Sequence, residues 1–347
     1  MQSEKMTDDS STKTEEKVPA VSARSNAPVF VLGSPRSGTT LLYHMLLSSG
    51  GFAVYRSETH VFNMLETAYG DLSNAANKRK LMKAWLGSKL FRVSGLDADK
   101  VEATVMAECN NGGDFLRLVM GQIAQNQNVK RWADCTPDHL LYLPRIKQTI
   151  PEALIIHIIR DGRDVALSME KQGWIRPLPG DSHQQLAVSA LYWEWIVNRG
   201  RQAGAVLRAD YCEVHFEDLI HEPRSVLGKL SAFIEHDLDY DRIRKTGIGS
   251  VQEPNSSFQS GASGEGFNPV ERWKALTRED LMRLDCLIGD TLGELGYPVG
   301  TDQLSKSEQT TLRRMRARYR RYFDFKFWLK TRTPVGKWFV TKDLSWL

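Results

Sequence analysis

The stretch VFVLGSPRSGTTLLYHMLL, residues 29–47, constrains this chain more than any other. Val29 to Leu32 is a short continuous apolar run, the pattern of a strand buried on both faces. Gly33 to Gly38 punctuates it, and Thr39 to Leu47 then reads as the start of a helix. A strand that feeds a glycine-bounded turn and a helix N-terminus aims loop amides and the positive end of the helix dipole at one point. The expected product is an anion cradle at the edge of a parallel sheet.

The loop has the outline of a triphosphate-binding loop, Gly33-x-x-x-x-Gly38-Thr39-Thr40, but Thr39 stands where that loop carries a lysine. The lysine reaches the terminal phosphates, and the following hydroxyl holds magnesium. Its loss argues against a nucleotide kinase or hydrolase. A cation appears instead inside the loop, at Arg36, beside the hydroxyls of Ser37, Thr39 and Thr40. Ser34, Pro35, Arg36, Ser37, Gly38, Thr39 and Thr40 are therefore expected to bind a 5′-phosphate that bears a less charged group.

A second apolar run, Ala153 to Ile159, ends in RDGRDVALS. Arg160 falls at the carboxyl end of that strand, where open α/β sheets bind ligands. Ser168 lies eight residues on, two turns into the next helix and on the same face. Together they can clamp a second phosphate, the Arg by a charge-assisted fork. Arg163 and Asp164 are expected to pair with neighbours. Further strands are expected at Phe52 to Tyr55, within KRWAD (130–134) and at Tyr211 to Phe216, with helices at Gln184 to Arg208 and Arg278 to Gly289. Strands alternating with helices at this spacing predict an α/β, three-layer, P-loop-like fold with a central, mostly parallel sheet flanked by helices.

Four motifs now stand in order: SPRSGTT, RDGRDVALS, HFEDL and ERWK. Together they resemble the sulfotransferase superfamily that uses 3′-phosphoadenosine 5′-phosphosulfate, and its bacterial and tyrosylprotein-type branch more than its cytosolic branch. The resemblance spans roughly residues 28–295. It implies sulfuryl transfer from that co-substrate, without a metal, to a hydroxyl or less readily an amine of a small-molecule, carbohydrate or peptide acceptor. It implies that Arg36 is the catalytic cation, that Arg160 and Ser168 hold the 3′-phosphate, and that Arg272 and Lys274 make a late contact. It also places Glu58, in RSETH, where that branch has its general base; His139 and His60 are the alternatives, since histidine titrates near neutrality without tuning. Two positions depart from the pattern: Phe216 replaces a common Tyr before Glu-Asp-Leu, and Cys135 a common Lys before Thr-Pro.

Residues 1–27, rich in Ser, Thr, Glu and Lys, read as a disordered tail. The expected sulfotransferase domain is 28–300, with 60–126 as a helical cap, followed by a basic aromatic arm at 301–347. Residues 313–332 hold nine Lys/Arg and one acid, Asp324, so the net charge of +4 conceals a mildly acidic body. The arm has three candidate destinations: the body or a partner subunit in a homodimer, an anionic membrane surface, or an acidic acceptor or, least favoured, nucleic acid. Four widely spaced cysteines, no signal-peptide pattern and no long apolar run predict a cytoplasmic protein, membrane-associated only through the arm. A non-catalytic nucleotide- or membrane-binding protein is the rival reading; it leaves unexplained why Arg36, Arg160, Ser168 and Glu58 all occur together.

Overall fold

Strands β1 (Val29–Leu32) and β3 (Leu154–Ile159) are buried at every residue, and their side chains divide between two cores. Phe30, Leu32, Ile155 and Ile159 enter one; Val29, Val31, Leu154, Ile156 and Ile158 enter the other. The period of two across a sheet buried on both faces explains why both strands read as continuous apolar runs. This computed structural model describes residues 23–252, 269–302, 304–340 and 344. Of the expected tail at 1–27, residues 1–22 lie outside the described residues, as does most of the glycine-rich segment after Gln252; Ala23–Asn26 instead forms a short helix, held to the body where Arg24 Nε donates to the Phe233 carbonyl at 2.6 Å.

In chain order the elements that build the site are β1, α1 (Thr39–Ser48), α2 (Gly112–Asn126), β2 (Ala133–Asp134), β3, α3 (Gly162–Gln172), α4 (Gln185–Leu207), β4 (Tyr211–His215), α5 (Arg278–Glu294) and α6 (Lys306–Arg332). Among the described residues the sheet has the order β2-β1-β3-β4 and is parallel throughout, with Val29 opposite both Ala133 and Leu154, and Ile155 opposite Tyr211. Helix α1 covers one face through Leu42 and Leu46. On the other face, α2, α4, α5 and α6 contribute Phe115, Trp193, Leu287 and Tyr319. The expected strand at Phe52 to Tyr55 is not formed. Phe52 makes a single parallel bridge to Arg131, and the Val54 amide and carbonyl are taken by the Gln127 side chain instead of by a neighbouring strand.

Helix α6 forms most of the basic arm among the described residues, and it packs on the body. Ser305 and Glu308 close a reciprocal capping box at its start, worth about 1 kcal/mol. Leu312, Met315, Tyr319 and Phe323 are buried along its inner face. Arg316 bonds the buried Glu194 carboxylate of α4 at 2.6 and 3.0 Å and Asp290 of α5 at 2.8 Å. Asp324 accepts from Trp195 Nε1 at 2.9 Å and from Arg199 at 2.8 Å. Part of the arm's charge is thus spent on internal pairs. Among the described residues, no helix is long and apolar enough to cross a membrane.

Candidate active site

Two glycines set the shape of the loop after β1. A Cβ on Gly33 would sit 2.4 Å from the Ile158 carbonyl oxygen of β3, so the loop can leave the sheet this closely only without a side chain. Gly38 has φ +92°, and a Cβ there would meet the Phe216 ring at 2.3 Å. Gly38 is also the N-cap of α1, and no side chain caps that helix. The first amides of α1 therefore face the cavity rather than an internal acceptor. Phe216 has no hydroxyl to offer; it serves as the floor on which Gly38 and the Arg160 guanidinium lie, the latter 4.7 Å from the ring centroid.

Arg36 is held in an unusual place. Its φ is +72°, a left-handed conformation that costs a non-glycine residue about 1–3 kcal/mol and survives only where the surroundings impose it. Here Arg160 Nη1 donates to the Arg36 carbonyl at 3.0 Å, and Arg36 Nε donates to Ser168 Oγ of α3 at 2.9 Å. The guanidinium lies over Trp174, 5.4 Å from the ring centroid. Arg160 is 2% exposed; its other terminal nitrogen bonds the Pro269 carbonyl at 2.5 Å and stands 3.5 Å from Asp164. Among the described residues, Arg160 Nε and Ser37 Oγ are buried without a hydrogen-bond partner. Burial lowers the pKa of Arg36, and the charges of Arg160 and Arg272 lower it further. Three guanidiniums thus crowd one loop whose buried donors are not all used. Such crowding is relieved by an anion.

The expected second phosphate clamp has a more local geometry than its spacing suggested. Ser168 faces Arg36, and Arg160 braces the loop through backbone carbonyls. Arg163 pairs with its own N-cap, Asp161, at 2.7 and 3.0 Å and lies 3.7 Å over Trp273, while Asp164 accepts the Trp273 amide at 2.9 Å. These links fasten the short 3-10 turn Arg272–Ala275 to α3. The charge of Arg272 bears on Arg36, Arg160 and Asp164. Lys274 instead turns outward to Glu271 at 2.6 Å.

Glu58 lines the same cavity as the loop, on a scaffold that spacing alone did not reveal. Asp134, at the end of β2, accepts from Thr59 Oγ1 at 2.5 Å, from the Thr136 amide at 3.2 Å and from His139 Nδ1 at 2.8 Å. Thr136 Oγ1 accepts the Thr59 amide at 2.9 Å. The segment before Thr59 is thereby tied to the carboxyl edge of the sheet. Burial alone would raise the Asp134 carboxyl, but His139 and the hydroxyl donors hold it below the ordinary carboxylate range. His139 is fully buried, and its Nε2 accepts the Phe62 amide at 3.1 Å, so both ring nitrogens are occupied and neither reaches the cavity. Glu58 is 46% exposed on the cavity wall, with Oε2 3.5 Å from His60 Nε2. Burial in that wall, then the carboxylates of Asp138 and Asp134, push its pKa up to about 8. Burial and His139 take the His60 ring down to about 4.

A cavity of about 600 Å³ joins these groups, with Arg36, Thr40, Glu58, His60, Asp138 and Phe216 in its wall. Pro35, Gly38 and Thr39 also line it, whereas Ser34 and Ser37 lie buried beneath the loop. Cys135, where the family pattern has a lysine, is buried and offers no charge. Trp174 and Asp138 were missed by sequence reasoning: the first lies in an irregular segment, and the second is separated from Glu58 by most of the chain between two strands. The Thr-Pro-Asp-His run was the available signal for the Asp134–His139 scaffold.

The sulfotransferase family profile matches residues 28–240, more than half of the chain and including β1 to β4. No curated protein sequence matches. Among solved structures, the sulfotransferase domain from the curacin biosynthetic pathway is 17% identical, with 79% of this chain and 99% of that chain covered and a TM-score of 0.49. The sulfotransferase domain from the Synechococcus PCC 7002 olefin synthase is 18% identical, with 79% and 96% covered and a TM-score of 0.49. Retinol dehydratase, in complex with androsterone and the inactive cofactor PAP, is 15% identical, with 81% and 83% covered and a TM-score of 0.37. By its profile match, the chain belongs to the sulfotransferase family and is an enzyme of that class.

Proposed function

We propose that this sulfotransferase moves a sulfuryl group from 3′-phosphoadenosine 5′-phosphosulfate to an acceptor hydroxyl, with Glu58 as general base and Arg36 as the cation at the leaving phosphate oxygen. The observation that carries the reading is the meeting of Arg36 and Arg160 at one loop, with the Arg272 charge bearing on both and, among the described residues, buried donors left unpartnered at Ser37 Oγ and Arg160 Nε. Those groups, the amides at the start of α1 and Ser168 fit the two phosphates of such a ligand. When bound, it supplies the sulfuryl group.

The chain's own residues do the rest. The uncapped N-terminus of α1 and the loop amides bind the 5′ end and orient it along the cavity. Arg36 stabilises negative charge that develops on the bridging oxygen, the place a metal holds in phosphoryl transfer. Because Ser168 accepts from Arg36 Nε at 2.9 Å, the guanidinium is already oriented before the ligand arrives. Glu58, in the wall of the same cavity, takes the proton from the acceptor oxygen as that oxygen bonds to sulfur and the sulfur–phosphate oxygen bond breaks. His139 holds the scaffold and exchanges no proton with the acceptor.

The test is transfer of radiolabelled sulfate from the co-substrate to hydroxylated acceptors. Arg36→Ala should lower turnover by about 10²–10³, the cost of losing one developing-charge stabiliser. Near-normal turnover would remove Arg36 from the chemistry.

A further inference from the structure

Beside the Glu58 cavity lies a second cleft of about 420 Å³, between α4, α6 and the irregular segment after α3. Asp138 and Trp174 line both, so the two spaces are neighbours through a shared wall. Its volume is in the range of small-ligand sites. Tyr142, Tyr192, Trp195, Tyr322, Phe323 and Phe327 wall it, with Tyr192–Phe323 and Tyr142–Phe327 edge-to-face at 5.5 Å. Tyr142 is 9% exposed, and among the described residues its buried hydroxyl has no hydrogen-bond partner.

The cleft is also charged. Lys326 and Lys330 lie one turn apart on α6 and both line it. Among the described residues neither has a carboxylate within ion-pair distance, although Arg316, Arg318 and Arg199 nearby are all paired. Like charges at this spacing are unfavourable in a helix. Burial lowers the Lys330 ammonium, and Lys326 lowers it further against the opposing pull of Asp138. Asp138 is the one carboxylate among the lining residues, and its charge bears on Lys330. The cleft is rigidly framed: Tyr319 Oη of α6 accepts the Leu178 amide at 2.9 Å and donates to Asp181 at 2.8 Å, which ties the segment after α3 to the arm.

We propose that this cleft is the acceptor subsite and takes a hydroxyaromatic acid, its ring against the aromatic walls, its acidic group at Lys326 and Lys330, and its hydroxyl toward Glu58. The assignment rests on the reading of the neighbouring cavity as the transfer site. Flat rings pack on such walls edge-to-face or offset, and two ammoniums without a carboxylate at ion-pair distance among the described residues, Lys330 half-buried and Lys326 exposed with its ammonium 5.8 Å from the Tyr322 ring centroid, favour an acid over a neutral isostere. The unpartnered Tyr142 hydroxyl supplies one further donor. On this account the basic arm is part of the acceptor-binding machinery.

The test is calorimetry on the full chain with 4-hydroxyphenylacetate and its neutral primary amide, each also run on Lys326→Gln/Lys330→Gln. Arg320→Gln/Arg321→Gln removes the same charge from exposed positions of the same helix outside the cleft. The acid is expected to bind on the order of tenfold more tightly than the amide, with the preference lost in the cleft variant and kept in the control. Equal binding of acid and amide, no binding of the acid, or a preference that survives in the cleft variant would overturn the assignment. So would a cleft variant that also loses affinity for 3′,5′-adenosine bisphosphate, titrated in the same samples. Acid preference without any bisphosphate binding leaves the cleft standing and sinks the co-substrate reading; bisphosphate binding without acid preference does the reverse.

Discussion

Glu58 makes the sharpest demand on the account, because a base must be ionised to act. Its pKa is pushed up from 4.5 to about 8, first by burial and then by Asp138 and Asp134. At pH 7 only about one-tenth of it is then carboxylate, and that fraction falls about tenfold for each unit below. Turnover should therefore climb with pH and level off above about 8. An anion bound beside Arg36 can only move the limb upward, since it disfavours a second negative charge nearby. Glu58→Gln should remove the limb and lower turnover by about 10²–10⁴. The linkage has a definite sign. The folded state holds a proton that the unfolded chain releases between pH 4.5 and about 8, so this group's contribution to stability falls as pH rises through that window. Glu58→Gln should accordingly raise the melting temperature at pH 9 relative to wild type more than at pH 4. Infrared difference spectra between wild type and Glu58→Gln read the carboxyl directly and need no acceptor. A carboxyl that titrates below pH 5.5, or a pH limb that persists in the variant, would refute the assignment.

Two further substitutions probe the loop. Gly38→Ala forces a side chain into φ +92° and a Cβ to 2.3 Å from the Phe216 ring; calorimetry should show bisphosphate affinity reduced at least tenfold, and unchanged affinity would mean that the loop does not cradle the ligand. Arg160→Met leaves the fully buried Asp164 without its cation and frees the Arg36 carbonyl, so thermal or denaturant unfolding should show a loss of about 3–5 kcal/mol; a loss below about 1 kcal/mol would mean that Arg160 does not brace the loop.

The parallel sheet was legible chiefly through β1 and β3, which are short, fully buried and preceded by Pro28 and Pro151, so periodicity and punctuation agree. The loop was legible for the same reason: Gly33 and Gly38 stand where only glycine fits. The Phe52–Tyr55 segment misled because its apolar run meets a side-chain partner, Gln127, that no local pattern announces. Arg160 and Ser168, read as a clamp for a second phosphate, meet Arg36 through its carbonyl and its Nε, and these contacts depend on the positive φ of Arg36, which spacing does not encode. The Asp134–Thr136–His139 scaffold joins β2 to the segment carrying Glu58 across more than seventy residues. The cleft of α6 was hidden for a different reason: a run of cations reads as one surface, and only packing separates Arg316, spent on Glu194, from Lys326 and Lys330, which line a cavity.

The central claim is that the loop after β1 serves a ligand with phosphates at both ends of one ribose rather than a triphosphate. Calorimetry of the full chain with 3′,5′-adenosine bisphosphate and with ATP, run without and with magnesium, tests it most directly. The account predicts micromolar or tighter binding of the bisphosphate, insensitive to magnesium, and ATP binding at least tenfold weaker. Tight, magnesium-dependent binding of ATP with no binding of the bisphosphate would contradict it.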